Sequence, residues 1–251
     1  MKSERLNGIR EYIQKKETVT IEELCNEFSI SPNTVRRYLT ELEKMCAVRK
    51  IYGGAMVVHI NESSAETHRA SMEITAKAAI AKRAADMIEE GDVLFMDTGS
   101  TVAAMLDYLN PEKNVTIVST SVPVIMKAIQ LKNVNLICLG GMYYENTNSF
   151  YSNETLMESE NMNFTKLFLG CTGITNKGEV TNTTYYETAL KHVIIQKSDK
   201  IILTADHTKI GKNALRKLCD FSDLYAFVTD IKPNDNIIQR CSQNNVKLIY
   251  N

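Results

Sequence analysis

The chain has 251 residues, 44% of them apolar and 24% charged, with a formal net charge of −1. That composition is globular and excludes disordered, collagen-like and disulfide-scaffold classes; the length suits one large domain, or a small one joined to a medium one. Apolar runs stop far short of the ~20 residues of a membrane span, and Met1-Lys2-Ser3-Glu4 opens into charged sequence rather than a secretory apolar core, so a cytoplasmic chain without membrane contact is expected.

The first 60 residues predict three short helices and a hairpin. Leu6, Ile9 and Ile13 share one helical face. Thr20-Ile21-Glu22-Glu23 is a capping box, in which Thr20 accepts from the Glu23 backbone N–H and Glu23 reaches back. Leu24, Cys25 and Phe28 supply the buried side of that helix. Ser31-Pro32 starts the next one, a hydroxyl cap followed by a proline whose missing N–H costs nothing there. Two short helices separated by so brief a turn have helix-turn-helix spacing. At about 100° per residue, Val35, Leu39 and Leu42 face a core, while Asn33, Arg37, Thr40 and Lys44 lie opposite with Thr34 and Arg36 on the flanks. A face of amide, hydroxyl and guanidinium groups suits the major groove of double-stranded DNA, where Arg forks to guanine and Asn pairs with adenine.

Val48 to Val58, two β-rich runs around Gly53-Gly54, predicts a hairpin. Beside the second helix of the motif it forms a wing that sets Arg49 and Lys50 against phosphates. Charge is distributed to match: residues 1–60 hold 10 Lys+Arg against 8 Asp+Glu and the remainder 19 against 22, so a +2 head and a −3 body sum to −1. Within residues 32–50, Arg36, Arg37, Lys44, Arg49 and Lys50 face only Glu41 and Glu43. The expected boundaries are a winged helix-turn-helix domain at 1–58, a polar linker at 59–72 whose His59 and His68 face solvent, and a second domain at 73–251.

From Glu73 the pattern alternates helix and strand. Ile74 to Glu89 has a helical stripe with Gly91 as a stop. Apolar runs at Val93–Met96, Val115–Val118, Val134–Leu139, Leu167–Leu169, Ile201–Leu203 and Tyr225–Val228 each end in polar residues or glycine. Continuous apolar strands between helix-length segments predict an α/β domain, its sheet mostly parallel with helices on both faces. Ligands bind beyond the carboxyl ends of such strands. Asp97-Thr98-Gly99-Ser100-Thr101, between a strand and a helix at Val102–Leu109, can cradle an anion or simply cap that helix. Asp206-His207-Thr208-Lys209 can hold a sugar hydroxyl and a phosphate, or form a surface ion pair. Together the two loops favour a small polyhydroxylated, phosphorylated ligand. The six cysteines show no CxxC pair and no Cys/His ligand spacing, so reduced core thiols and no metal are expected. No GxGxxG occurs, so no nicotinamide cofactor is expected either, and the cofactor expectation is none.

Ser31-Pro32-Asn33-Thr34-Val35-Arg36-Arg37 and Tyr52-Gly53-Gly54-Ala55 resemble the DeoR family of bacterial transcriptional regulators. The likeness continues in order through Lys77-Ala78-Ala79-Ile80-Ala81, Asp97–Thr101, Leu139-Gly140-Gly141, Phe168-Leu169-Gly170 and Ala205–Lys209. It implies a homo-oligomeric repressor of a carbohydrate operon, with an effector domain similar to ribose-5-phosphate isomerase. The DNA-binding set is then Ser31, Asn33, Thr34, Arg36, Arg37, Thr40, Lys44, Arg49 and Lys50. The effector set is Asp97, Gly99, Ser100, Thr101, Thr120, Gly140, Gly141, Glu187, Asp206 and Lys209. The chain departs from the family pattern at Tyr38, commonly Asp, at Thr120, usually Asn, and at Ser152, frequently Gly. The alternative is a sugar-phosphate isomerase or deaminase with an accessory DNA-binding module. Such enzymes carry acids after a central strand, where this chain has Gly170-Cys171-Thr172-Gly173-Ile174, so binding without turnover is expected.

Overall fold

The computed structural model describes residues 6, 8, 9, 12, 13, 16, 18–44, 48–51, 53–57 and 73–250, with Glu43, Lys44, Arg49 and Val57 described by backbone alone. The expected linker 59–72 with His59 and His68, together with Cys46, Tyr52 and Val58, lies outside the described residues. The chain forms two compact units, Met1–Ser63 and Ser64–Asn251.

In the first unit, β1 (Thr18–Thr20) leads into α1 (Ile21–Phe28) and α2 (Pro32–Lys44), followed by β2 (Val48–Ile51) and β3 (Gly54–Val57). The capping box forms: Glu23 N–H donates to Thr20 Oγ1 at 3.1 Å and Thr20 N–H to Glu23 Oε2 at 2.7 Å. α1 stops at Ser29, whose φ of 49° turns the chain, and Ser31 Oγ accepts from Thr34 N–H to start α2. Ile9, Ile13, Leu24, Val35, Leu39 and Leu42 are buried together, as the helical faces require. Tyr38 joins them although the facial reading left it unassigned. β1 was not expected: three residues are too few to show a period, and the strand exists by pairing antiparallel with β3, Thr20 opposite Gly54. The sheet order is β1-β3-β2. Of the two glycines in the hairpin turn, only Gly53, at φ 80°, supplies left-handed backbone. Gly54 is glycine for another reason, since a Cβ there would lie 2.1 Å from the Val19 carbonyl oxygen.

The second unit opens with α3 (Ile74–Ala85), β4 (Val93–Met96), α4 (Ser100–Ala104), β5 (Val115–Ser119), α5 (Val122–Ala128) and β6 (Val134–Cys138). A hairpin of β7 (Met142–Tyr144) and β8 (Ser149–Tyr151) precedes α6 (Asn153–Ser159) and β9 (Phe164–Leu169). Then come β10 (Gly173–Ile174), β11 (Glu179–Asn182), α7 (Tyr185–Gln196), β12 (Ser198–Thr204), β13 (Arg216–Asp220), β14 (Ala226–Val228), α8 (Asp235–Gln243) and β15 (Lys247–Ile249). All pairs in the seven-stranded sheet β15-β14-β12-β9-β4-β5-β6 are parallel. Strand residues alternate between two cores, as the pleat dictates. Phe95, Leu167, Leu169, Leu203 and Phe227 pack with α7 and α8 on one face; Leu94, Met96, Phe168, Ile202 and Val228 pack with α3, α4 and α5 on the other. Helices therefore cover both faces. The seventh strand, β15, and the antiparallel sheet β10-β11-β13 were not legible as short runs in the sequence.

Two expectations need correction. α4 begins at Ser100 rather than Val102 and gives way to a 3-10 turn at Met105–Asp107, so the polar loop forms the first helical turn instead of preceding it. Not all cysteines are core thiols: Cys219 and Cys241 are buried, but Cys138 is exposed on the edge strand β6. Among the described residues, no helix is long and apolar enough to cross a membrane.

Candidate functional site

The exposed face of α2 carries Asn33, Arg36 and Arg37, with Thr34 and Thr40 half-buried at its margins. Its side chains are partly tied to each other. Arg36 Nη1 donates to Asn33 Oδ1 at 3.2 Å, and the wing reaches the same helix where Lys50 Nζ donates to Thr40 Oγ1 at 3.3 Å. Arg37 lies with its Cζ 5.7 Å from the centroid of the Tyr38 ring, over that ring. Ser31 is engaged as the helix cap, with Oγ 2.9 Å from Thr34 Oγ1. Lys44 and Arg49 fall on α2 and β2, their side chains outside the described set.

In the α/β unit, β4 is followed in the sheet by β5 and β6 on one side and by β9, β12, β14 and β15 on the other. The chain changes direction across the sheet between β4 and β9, and crevices open at the carboxyl ends of such a switch point. A cavity of about 240 Å³ lies there, lined by Thr98–Val102, Gly170–Thr172, Asn182–Thr184 and Thr204–Asp206. Lys77 from α3, Glu187 and Lys191 from α7, and Lys209 and Lys212 after β12 complete its charged wall. With Glu73 and Asp206 at the same cavity, four lysines face three carboxylates.

Of the sequence-predicted effector set, Gly99, Ser100, Thr101, Glu187, Asp206 and Lys209 line this cavity. Gly99 has φ 122° with open space where a Cβ would be, so it is glycine for its backbone conformation. Asp206 is committed to its own loop, accepting from Thr208 N–H at 2.9 Å and from the Thr208 hydroxyl. Asp97 lies behind the lining, accepting from Gly170 N–H at 2.9 Å. Thr120, Gly140 and Gly141 are not brought to the cavity. The Thr120 carbonyl accepts from Phe150 N–H, and the Gly140 carbonyl accepts from the Thr155 hydroxyl. Gly141 lets the chain pass Tyr151, whose backbone is 2.6 Å from where a Cβ would sit. These three hold the β7–β8 hairpin instead. Ser152 likewise has a local job, capping α6 through Thr155 N–H at 3.1 Å.

Sequence reasoning missed Lys191. Its ammonium pairs with Asp97 at 2.8 Å and Glu187 at 2.9 Å and donates to the Gly170 carbonyl at 3.2 Å. Glu187 also receives Asn182 Nδ2 at 2.8 Å and the Thr98 hydroxyl. The signal available was Glu187 four residues before Lys191, an ordinary helical ion-pair spacing that does not announce burial. Burial pushes both carboxylates up, but Lys191, Thr98 and Asn182 outweigh it at Glu187 and bring that group to about 2. Asp97, with weaker donors and Glu187 nearby, is pushed up to about 6 by burial. Gly170–Ile174 holds no acid, but Asp97, just after β4, reaches Gly170, and Glu187 of α7 is joined to Asp97 through Lys191.

Family models place these two units. The DeoR-like helix-turn-helix domain matches residues 5–61 and the DeoR C terminal sensor domain residues 72–231. The chain belongs to the DeoR family. It is 35% identical to the HTH-type transcriptional regulator IolR of Bacillus subtilis (strain 168), covering 98% of both chains. It is 28% identical to the glycerol-3-phosphate regulon repressor of Escherichia coli (strain K12), again over 98% of each. Among solved structures, ribose 5-phosphate isomerase A from Methanocaldococcus jannaschii aligns over 53% of each chain at 19% identity and a TM-score of 0.39. As a DeoR-family member the protein pairs a DNA-reading head with a sensor domain, and the cavity lies in the sensor.

Proposed function

We propose that the protein is a transcriptional repressor of a carbohydrate-related operon, whose affinity for operator DNA is set by a small phosphorylated sugar or polyol in the sensor cavity. The observation that carries this reading is the lysine-lined cavity at the switch point of the sheet, in a chain whose other unit presents guanidinium and amide groups on an exposed helix. The relative named for the glycerol-3-phosphate regulon supports a small phosphorylated ligand. Asn33, Arg36 and Arg37 read bases, while Ser31, Thr34, Thr40, Lys44, Arg49 and Lys50 meet the backbone. Gly99, Ser100, Thr101 and Lys209, with Lys77 and Lys212, hold the phosphate; Glu187 and Asp206 meet hydroxyls. Paired heads reading repeated half-sites make the working form a homo-oligomer in the cytoplasm. The cavity binds without turnover, because Asp97 lies behind its lining, held by Lys191 and the Gly170 N–H rather than placed to shuttle a proton.

Thermal melting of the purified protein with phosphorylated sugars, free sugars serving as controls, tests the ligand class. A phosphorylated member raises the melting temperature, the free sugars do not, and the same mixtures yield no isomer. Lys209→Ala loses that shift and the ligand's effect on operator binding while keeping operator affinity. Arg37→Ala weakens operator binding. A normal ligand response in Lys209→Ala overturns the cavity assignment, and isomer formation overturns binding without turnover.

A further inference from the structure

The two arginines of α2 are not equivalent. Arg36 has one guanidinium N–H on Asn33 Oδ1, which also occupies the oxygen that Asn33 would need to accept from an adenine amino group. Among the described residues the Arg37 guanidinium makes no hydrogen bond; its contact is the Tyr38 ring beneath it, 5.7 Å from Cζ to centroid. Attraction to a ring face uses none of a guanidinium's N–H groups and leaves its fork open, and that fork is what reads guanine O6 and N7. The ring itself cannot drift. Tyr38 is 4% exposed and packed in the core with Val35, Leu39 and Leu42, so Arg37 rests on a fixed surface at the border between the core and the exposed face.

We propose that Arg37 reads a guanine in the operator and that Tyr38 is the positioning residue that presents its fork. The inference rests on the DNA-binding reading above and deepens it. The test begins with duplexes enriched by the full-length protein from a randomised pool, so that no operator need be known. For wild type, replacing one guanine in the enriched sequence lowers affinity about tenfold. Arg37→Lys, which keeps the charge and loses the fork, brings that ratio below about twofold while leaving low-salt affinity for random duplex nearly unchanged. Tyr38→Phe keeps the wild-type ratio. Tyr38→Leu falls to the Arg37→Lys ratio with random-duplex affinity retained, and Tyr38→Met provides a second ringless side chain should the leucine variant lose its helical signal. Arg37→Lys is on an exposed face and tests the base reading independently of both core variants. A wild-type chain that enriches no sequence overturns the DNA-binding reading itself. Enrichment whose guanine preference survives Arg37→Lys overturns the role of Arg37, and a folded ringless variant with the wild-type ratio overturns the role of Tyr38.

Discussion

The Lys191 ammonium has three acceptors within reach, one from each of Asp97, Glu187 and Gly170, so all its protons are taken. Two carboxylates share that cation, and the environment separates them: Glu187 gains Thr98 and Asn182 as close donors, whereas Asp97 gains the Gly170 N–H and a long 3.4 Å contact from the Thr98 hydroxyl. Burial therefore dominates at Asp97, which titrates near 6 in the fold against an ordinary 3.8. Between those values the native state binds a proton that the unfolded chain does not, so stability rises as pH falls through the window. Glu187, lowered to about 2, acts in the opposite sense only below its ordinary 4.5. Urea midpoints of wild type and Asp97→Asn at pH 7 and pH 5 isolate the effect. Wild type gains on the variant by about 1 kcal/mol between the two, because the fold takes up roughly one proton per molecule across that interval and the unfolded chain almost none. A constant difference shows that Asp97 is ionised throughout. Asp97 was legible in the sequence as a polar residue ending a strand. Its role was not, because its partners come from α7 and from the loop after β9, and no local pattern carries that information.

Elements were readable where a local device specifies them and obscure where pairing does. Thr20 and Glu23 fixed the start of α1, Ser31-Pro32 that of α2, and apolar runs revealed β4, β5, β6, β9, β12 and β14. β1, β7, β8 and β10 have two or three residues each and owe their conformation to the strands beside them. Gly54 shows the cost of reading a turn by composition alone. Gly53-Gly54 looks like a pair chosen for left-handed backbone, yet only Gly53 has positive φ. At Gly54 the constraint is distance, because β1 passes with the Val19 carbonyl where a side chain would be. Gly54→Ala therefore separates β1 from β3 and displaces the wing carrying Lys50, with an expected loss of about 2 kcal/mol by the overpacking mechanism. Gly53→Ala, strained but in open space, loses about 1 kcal/mol. Urea unfolding of the two variants checks the order, and equal losses argue against the close approach.

At the scale of the molecule, near-neutrality first reads as evidence against nucleic acid, and the division into Met1–Ser63 and Ser64–Asn251 explains why it is not. On the proposed reading, attraction to DNA is confined to a few cations of the head, whose Lys50 touches α2 through Thr40. Counterion release makes this countable: affinity falls with salt with a slope of about −0.9 per phosphate neutralised. If Lys44, Arg49 and Lys50 each neutralise one phosphate, a pair of heads gives a slope of about −5. Lys50→Ala on both heads brings it toward about −4, whereas Lys209→Ala, in the sensor, leaves it unchanged. Anisotropy titrations of an enriched duplex across a salt series measure all three. A Lys50→Ala slope equal to wild type removes the wing from the phosphate contacts. A slope far steeper than −5 means that cations beyond these three, of the head or of the body, meet the DNA.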